Sequence, residues 1–206
     1  MSTLAAKPFN QKIRITILRL SFLMLVPLVF FIKPYAYPIE TISSEFLEIV
    51  GIVSIVACVL GRFWSILYVG GRKNQLIMQD GPYSMCRHPL YLFSTIGVFG
   101  FGLALASIVL AVSLGGATFI ILTLTAKREE AFLRSEFGPA YDEYAARVPM
   151  IFPSLKNFRT TETVEFRVST LWGNFFDALV FLAFIPMVEL IEGIGTHYDL
   201  PFLALF

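Results

Sequence analysis

The chain has 206 residues, of which 56% are hydrophobic and only 15% are charged, and its mean hydropathy is +0.72. This composition is far more apolar than that of a soluble domain and predicts a single integral membrane domain over residues 1–206. The formal net charge of +1 excludes the strongly basic surface of a nucleic-acid-binding protein. Cys58 and Cys86 belong to no CxxC or Cys/His pattern, so neither a disulfide nor a metal site is expected.

The first part of the chain predicts two membrane-spanning helices. The run from Ile15 to Ile32 is about as long as a bilayer is thick and lacks the cleavage site of a signal peptide. Ser43 and Ser44 can cap a second helix that continues to about Gly70. The polar stretch from Gly71 to Arg87 is rich in Gly, Asp and Pro and predicts a loop.

The long apolar run from Pro89 to Ala126 predicts a helical hairpin. It holds no charged side chain, yet it is too long for one helix to cross about 30 Å of hydrocarbon at about 1.5 Å per residue. Small residues between Gly100 and Ala106 interrupt the bulky pattern, and we place the turn there. Four glycines are expected to let the two hairpin helices approach closely: Gly97, Gly100, Gly115 and Gly116.

The second half of the chain predicts a projecting helix and a further span. After Thr125 the fourth helix becomes charged and should extend beyond the membrane as far as Gly138. Pro139 suits the first position of a short amphipathic helix, Tyr141 to Val148. A polar, basic connection over residues 150–168 then precedes a fifth apolar run, Leu171 to Ile191.

Lysine and arginine residues orient these spans, because they accumulate on the cytosolic side of membrane proteins. Only Lys33 falls on the opposite side. The pattern places the N-terminus inside and the acidic C-terminal tail outside. The sequence therefore predicts an all-α polytopic membrane helical bundle of about five transmembrane helices, with a cytosolic cofactor pocket, in a bacterial or archaeal inner membrane. It predicts nothing about the oligomeric state.

The hairpin topology also predicts where chemistry could take place. A hairpin returns the chain to the side where it began, so Arg87-His88-Pro89 and Glu129-Glu130 should lie together, with Tyr83 and Tyr91 beside them. These groups suit a ligand that carries a sulfonium, an amino-acid end and an aromatic base, as S-adenosylmethionine does. Taken singly, each group has a simpler explanation as a helix cap, a positive anchor or a solvated helix face.

Other polar residues near the membrane are weaker candidates. Arg62 lies within or at the end of the second span, where a charge is costly unless it is functional or snorkels to the interface. Asp177, with Asn174, is expected near the inner end of the fifth span and could touch the substrate. His197, in the outer tail, is not expected to be catalytic.

A family resemblance adds to this reading. The segment Gly81-Pro82-Tyr83-Ser84-Met85-Cys86-Arg87-His88-Pro89-Leu90-Tyr91 resembles the signature of the isoprenylcysteine carboxyl methyltransferase-like family of integral membrane enzymes. A second cluster resembles the family's later pattern, with similar spacing: Glu129-Glu130, Leu133, Phe137-Gly138, Tyr141, Tyr144 and Val148-Pro149. The resemblance covers a core of about residues 61–153, and the helix of about residues 171–191 is additional to it.

The resemblance implies S-adenosylmethionine as the cofactor and assigns roles to particular residues. Arg87 and Glu130 would be catalytic. The cofactor contacts would come from Tyr83, His88, Pro89, Leu90, Tyr91, Glu129 and Glu130, with Gln75, Leu76, Ile77 and Met78 adding backbone contacts. The prenylcysteine enzymes carry a substrate-associated arginine where this chain has Thr125, and Lys127 or Arg128 are candidate substitutes.

The expected activity is methyl transfer to a lipophilic acceptor from the bilayer, such as an isoprenylcysteine-type carboxylate, which needs no general base. The nearest alternative is N-methylation of a phospholipid amine, for which Glu130 or Glu129 would act as the base. Two rivals remain: a nicotinamide-dependent sterol-type reductase, whose carboxyl-terminal part looks similar, and a non-catalytic membrane protein. If the chain were a non-catalytic membrane protein, changing His88 or Glu130 would leave its function intact.

Overall fold

The computed structural model describes residues 32–34, 42–69, 76–164, 166, 168–190 and 203–205. These residues are helical or irregular apart from one short parallel pairing, of β1 (Ile32–Pro34) with β2 (Leu203–Leu205). The predicted first span lies outside the described residues except for Ile32, which belongs to β1 rather than to a helix. His197 also lies outside them.

The helices follow the predicted order. They are α1 (Ile42–Val69), α2 (Pro82–Met85), α3 (Pro89–Ala104), α4 (Ile108–Phe137), α5 (Pro139–Arg147) and α6 (Val168–Leu182), with a 3-10 turn at Leu155–Asn157 and a further helical stretch over residues 184–190. The all-α expectation is therefore confirmed for the described part of the chain, apart from the β1–β2 pairing. Two details are corrected: α1 begins at Ile42, so Ser43 and Ser44 lie in its first turn, and the predicted loop before Arg87 contains the single helical turn α2.

Two of the described helices are long and apolar enough to cross a membrane, over Ser44–Val69 and Ile108–Phe137. The shorter α3 packs against both α1 and α4, and α6 packs against α1. A buried apolar core joins these helices and includes Ile55, Phe101, Leu114 and Phe184. The bundle thus places α3 at its centre, and the start of α3 carries the Arg87-His88 motif.

The predicted hairpin is confirmed, and its turn lies at the end of the predicted interval. α3 continues to Ala104, and the reversal falls at Leu105 and Ala106, where Ala106 has a φ of 51°. The Ser107 hydroxyl then accepts a hydrogen bond from the Leu110 backbone N–H at 3.2 Å and caps α4. Gly100 therefore lies inside α3, not in the turn.

The glycines of the hairpin serve two different helix contacts. A Cβ on Gly100 would fall 2.7 Å from the Ser54 Cβ of α1, whereas one on Gly115 would fall 2.9 Å from the Phe99 ring of α3. Gly97 likewise packs against Cys58 of α1, and Gly116 has no atom within 4 Å of its Cβ position. Close approach within the hairpin is thus correct for Gly115. It is wrong for Gly97 and Gly100, because α3 is central and these residues face α1, and wrong for Gly116, which has no close neighbour.

The end of α4 extends beyond its apolar part. At about 1.5 Å per residue a helix of 30 residues is about 45 Å long, which exceeds the hydrocarbon thickness of about 30 Å. Apolar residues fill the helix as far as Ala126, so residues 127–137 lie outside the part that could span a membrane. Gly138, with a φ of 55°, reverses the chain, and Pro139 begins α5 as predicted.

Candidate functional site

The hairpin brings the two predicted clusters into contact. Arg87 Nε donates a hydrogen bond to Glu130 Oε1 at 2.7 Å, and His88 Nε2 lies 3.2 Å from the same oxygen. The three side chains are almost completely buried, with relative exposures of 10%, 7% and 6% for Arg87, His88 and Glu130. Residues more than forty positions apart in the sequence thus form one buried ionic cluster.

Arg87 also binds the end of α5. Its Nη1 atom donates to the carbonyl oxygens of Ala145 at 2.6 Å and Val148 at 2.9 Å. A guanidinium at this position satisfies carbonyls left unpaired at a helix C-terminus and complements the negative end of the helix dipole. Arg87 therefore joins the end of α5 to Glu130.

His88 occupies the N-cap position of α3. Its backbone N–H donates to the Met150 carbonyl at 3.1 Å, and its ring stacks on the Tyr91 ring with a centroid distance of 5.3 Å and an interplanar angle of 3°. His88 Nδ1 lies 3.9 Å from Glu129 Oε2. The imidazole thus lies between the two glutamates, while the stacked rings give the site a flat aromatic wall.

Glu129 lies in a more open environment than Glu130. The Tyr91 hydroxyl donates to Glu129 Oε2 at 2.8 Å, and the Glu129 side chain is 20% exposed. Consecutive helix residues point about 100° apart, so the two carboxylates cannot share all of their partners. Glu130 faces the basic cluster, and Glu129 faces the aromatic wall.

The surroundings of Glu130 change its pKa. Burial alone would raise the pKa of this carboxyl, but the hydrogen bond from His88 and the positive charge of Arg87 outweigh it, so the pKa lies below its usual range. Arg134 Nη2 adds a second guanidinium, 3.8 Å from Glu130 Oε2. Glu130 is therefore held as a carboxylate.

The buried phenols and the thiol around the cluster stay protonated. Burial raises the pKa of Tyr83 well above its ordinary value, and the negative charge of Glu129 raises it further. Burial also raises the pKa of Tyr141 and Tyr144, and it raises the pKa of the Cys86 thiol to about 12. Cys86 is thus a neutral thiol and a poor nucleophile.

The remaining predicted cofactor contacts surround this cluster at different distances from its centre. Pro89 is buried at the start of α3, and Leu90 packs beside Tyr91 against the cluster formed with Leu122 and Ala126. Ile77 packs against the buried side chains of α5, and Leu76 is exposed. Met78 lies in the same irregular stretch, whereas Gln75 lies outside the described residues.

The other candidate residues belong to α1, α4 and α6. The Thr125 hydroxyl donates to the Ile121 carbonyl, and the side chains of Lys127 and Arg128 are exposed. Arg62 donates to the Ser94 hydroxyl and lies over the Phe181 ring at 5.3 Å, so it contacts the bundle instead of only snorkelling. Asp177 and Asn174 belong to α6, but their side chains lie outside the described part.

Several supporting contacts could not be found from the sequence. The Tyr144 hydroxyl donates to the Tyr83 carbonyl at 2.8 Å, and the Arg87 backbone N–H donates to the Pro149 carbonyl at 2.9 Å. The spacing of Tyr144 and Val148-Pro149 indicates the family pattern, but it does not indicate which groups these residues contact. Within the described residues the Tyr141 hydroxyl is buried without a hydrogen-bond partner, as a group satisfied by a bound ligand or water would be.

The chain matches one family model and two metal resistance proteins over much of its length. The family model described as phospholipid methyltransferase matches residues 46–140. The chain is 36% identical over 153 residues to the nickel-cobalt-cadmium resistance protein NccN of Alcaligenes xylosoxydans xylosoxydans, covering 74% of this chain and 71% of that protein. It is 36% identical over 146 residues to the cobalt-zinc-cadmium resistance protein CzcN of Cupriavidus metallidurans, covering 71% of this chain and 67% of that protein.

A more distant relative has an enzyme name. The chain is 31% identical over 81 residues to the protein-S-isoprenylcysteine O-methyltransferase of Schizosaccharomyces pombe, covering 39% of this chain and 34% of that protein. No solved structure matches the chain. Among the residues that the structure describes, no group of three or more His, Cys, Asp or Glu could hold a metal ion.

The buried carboxylate predicts an acid-sensitive stability. Because the folded pKa of Glu130 is lowered, its contribution is complete above the ordinary glutamate pKa of about 4.3 and is lost as the pH falls through the folded value. Glu130→Gln should therefore lower the free energy of unfolding at pH 7 by about 3–5 kcal/mol, because the Arg87 charge stays buried. The unfolding temperature should fall with it, and its decline below about pH 4.3 should flatten. Thermal unfolding in detergent across this pH range measures both effects.

The matched control for this experiment is Glu143→Gln, because Glu143 is exposed on α5. It should leave the pH profile of the parent unchanged. A Glu130→Gln profile that runs parallel to the parent profile below pH 4.3 would show that this carboxylate is not the acid-sensitive group.

Proposed function

Because this chain belongs to the isoprenylcysteine carboxyl methyltransferase-like family of membrane methyltransferases, we propose that it transfers a methyl group from S-adenosylmethionine to a lipophilic acceptor. The observation that carries the proposal is the buried contact of Arg87 and His88 with Glu130, beside the more open Tyr91–Glu129 pair. The family signature and the second glutamate cluster therefore form one site instead of two separate features.

The side chains of this site fit the cofactor. The partly exposed Glu129 carboxylate can accept hydrogen bonds from an ammonium group or from ribose hydroxyls, and the stacked His88 and Tyr91 rings offer an aromatic face to a cation. The buried Tyr141 hydroxyl is a further donor or acceptor close to the cluster. S-adenosylmethionine supplies an already activated methyl group, so the protein has to align the reactants and exclude water.

The geometry favours an acceptor that needs no general base. Glu130 has a lowered pKa and is held by Arg87 and His88, so it accepts protons poorly at neutral pH. A carboxylate acceptor, such as an isoprenylcysteine-type group, needs no deprotonation, whereas an ammonium acceptor does. Carboxylate O-methylation is therefore the first proposal, and N-methylation of a phospholipid amine, with Glu129 as the base, is the alternative.

The membrane arrangement belongs to the same proposal. Two helices that can span a membrane, together with the membrane family, make this a membrane protein. We propose five spans with the N-terminus and the site on the cytosolic side of a prokaryotic inner membrane. The proposal rests on the distribution of lysine and arginine and on the charged residues 127–137 that extend α4 beyond its apolar part. The cofactor would then arrive from water and the acceptor from the bilayer.

The names of two relatives favour a second, physiological candidate function. NccN and CzcN are named as metal resistance proteins, and the chain covers 71% and 67% of their lengths. We propose that the methyltransferase site of this chain contributes to heavy-metal tolerance in its host. In this proposal metal tolerance depends on the methylated product and hence on the same buried cluster.

The cofactor assignment predicts binding that depends on the cluster. The parent protein in mild detergent should bind S-adenosylmethionine and S-adenosylhomocysteine with dissociation constants on the order of micromolar. His88→Ala and Glu129→Gln should weaken this binding at least about tenfold, because each removes a charge-assisted or aromatic contact. Calorimetry measures the dissociation constants. Glu143→Gln is the charge-matched control, because Glu143 is exposed on α5. A folded parent that binds neither compound, in detergent or in nanodiscs, would refute the assignment.

The acceptor class predicts the chemical stability of the product. When the protein is incubated with methyl-labelled S-adenosylmethionine and membrane lipid extract, we expect label in the lipid fraction that base hydrolysis releases as methanol. Methyl esters are base-labile, whereas N-methyl groups are not. His88→Ala supplies the background. Label that remains in the lipid after base treatment would replace the carboxylate acceptor by the amine alternative.

The tolerance proposal predicts a growth phenotype that needs the site. In a host strain lacking the chain, the parent gene should restore growth on nickel, cobalt, zinc or cadmium, and His88→Ala should not, although immunoblots show equal amounts in the membrane. Glu143→Gln should restore growth like the parent. Equal growth with the parent and with His88→Ala would contradict a role of the methyltransferase site in tolerance.

A further inference from the structure

The connection between α5 and α6 is firmly attached to the site. We call residues 150–160 the strap. Its Ser154 N–H donates to the Met85 carbonyl at 3.0 Å, and its Arg159 carbonyl accepts from the Gly81 N–H at 2.8 Å. The Arg159 N–H also donates to the Ser84 hydroxyl at 3.0 Å. The strap thus has a defined position along the loop that leads into Arg87 and His88.

The strap exposes three large apolar side chains. Phe152, Leu155 and Phe158 are 71%, 77% and 49% exposed, although each could be buried at little cost in an ordinary connection. Large apolar side chains exposed within one short segment are typical of a contact with another molecule or with a membrane. We call these three residues the apolar cluster.

Ring contacts fix the depth of this apolar cluster relative to the long helices. The Phe152 ring lies 5.8 Å from the Phe119 ring of α4, and the Phe158 ring lies 6.1 Å from Trp64 of α1. Phe119 precedes the first charged residue of α4, Lys127, by about 12 Å of helix. The strap therefore lies against the apolar parts of both helices, and Phe152 lies on the apolar side of the point where α4 becomes charged.

Positive charge accompanies the apolar cluster. Lys156 is exposed between Leu155 and Phe158. The guanidinium groups of Arg147 and Arg159 converge on the side-chain oxygen of Gln79, at 2.8 Å and 3.0 Å. Among the described residues, Asp80 is the carboxylate that forms an ion pair with this group, 3.6 Å from Arg159.

We propose that the strap is a binding surface for anionic phospholipids. Phe152, Leu155 and Phe158 insert at the hydrocarbon boundary, and Lys156, with the Arg147–Arg159 pair, binds the phosphate groups of the headgroups. Alternating apolar and basic residues at this depth are typical of segments that bind an anionic membrane interface. Because the strap is hydrogen-bonded to Gly81, Ser84 and Met85, bound lipid also holds the loop that positions Arg87 and His88.

Lipid-quenching fluorescence on the full-length protein tests the proposal without reference to methyl transfer. In a background with Trp64→Phe and Trp172→Phe, Leu155→Trp places a single reporter on the strap. The protein is placed in nanodiscs that contain an equal minor fraction of either acyl-brominated phosphatidylglycerol or acyl-brominated phosphatidylcholine. Glu143→Trp, on exposed α5, is the control for depth, and gel filtration of each variant checks folding.

We expect brominated acyl chains to quench the fluorescence of the tryptophan reporter at position 155 and not that of the reporter at position 143. Brominated phosphatidylglycerol should quench more strongly than brominated phosphatidylcholine, with an enrichment of about fivefold for one interfacial cation. Lys156→Gln should weaken this preference, because Arg147 and Arg159 remain to bind phosphate, whereas Arg134→Gln, which removes an equal charge from α4 about 12 Å beyond Ala126, should leave it unchanged. Absence of quenching at 155, equal quenching by the two lipids, or a preference that Lys156→Gln leaves unchanged would overturn the proposal.

Discussion

The buried carboxylate of Glu130 is the interaction on which the architecture of the site depends. It belongs to α4, yet its partners come from the segment before α3 through Arg87 and from the N-cap of α3 through His88. Arg87 carries the connection further to the last carbonyls of α5. Removing one member of a buried ion pair costs about 3–5 kcal/mol, because the other charge stays buried. The side chain of Glu130 thus fixes the positions of α3, α4 and α5 relative to one another.

Because Glu130 is bound to other parts of the protein, the two adjacent glutamates have different roles. The hydrogen bond from His88 and the positive charge of Arg87 outweigh burial and lower the pKa of Glu130, so it stays ionised and its partners are other parts of the protein. Glu129 is the next residue, but the helix turns it toward Tyr91 and a more exposed environment. A rigid carboxylate next to an accessible one suits cofactor binding, because the first fixes the position of the second before the ligand arrives.

The sequence predicted those features that depend on chain topology and local pattern. A charge-free run too long for one span implies a hairpin, and a hairpin implies that Arg87 and Glu130 meet. The sequence could not predict that Arg87 would bind the carbonyls of Ala145 and Val148. Every residue has a backbone carbonyl, and the identity of its side chain does not show which partner that carbonyl accepts from. The glycines of α3 show the same limit: their small size predicted close packing, but their partner helix depends on which face of α3 meets α1.

The position of the site follows from unequal helix lengths. α3 has 16 residues and spans about 24 Å, less than about 30 Å of hydrocarbon, whereas the apolar part of α4 ends at Ala126 and its charged part continues beyond the membrane. The Tyr91–Glu129 hydrogen bond ties the first turn of α3 to the charged part of α4. The short helix therefore begins where the long one leaves the apolar layer. In the proposed reaction a water-soluble cofactor and a lipid-soluble acceptor would meet at this boundary, so the difference in helix length agrees with the proposed place of the chemistry.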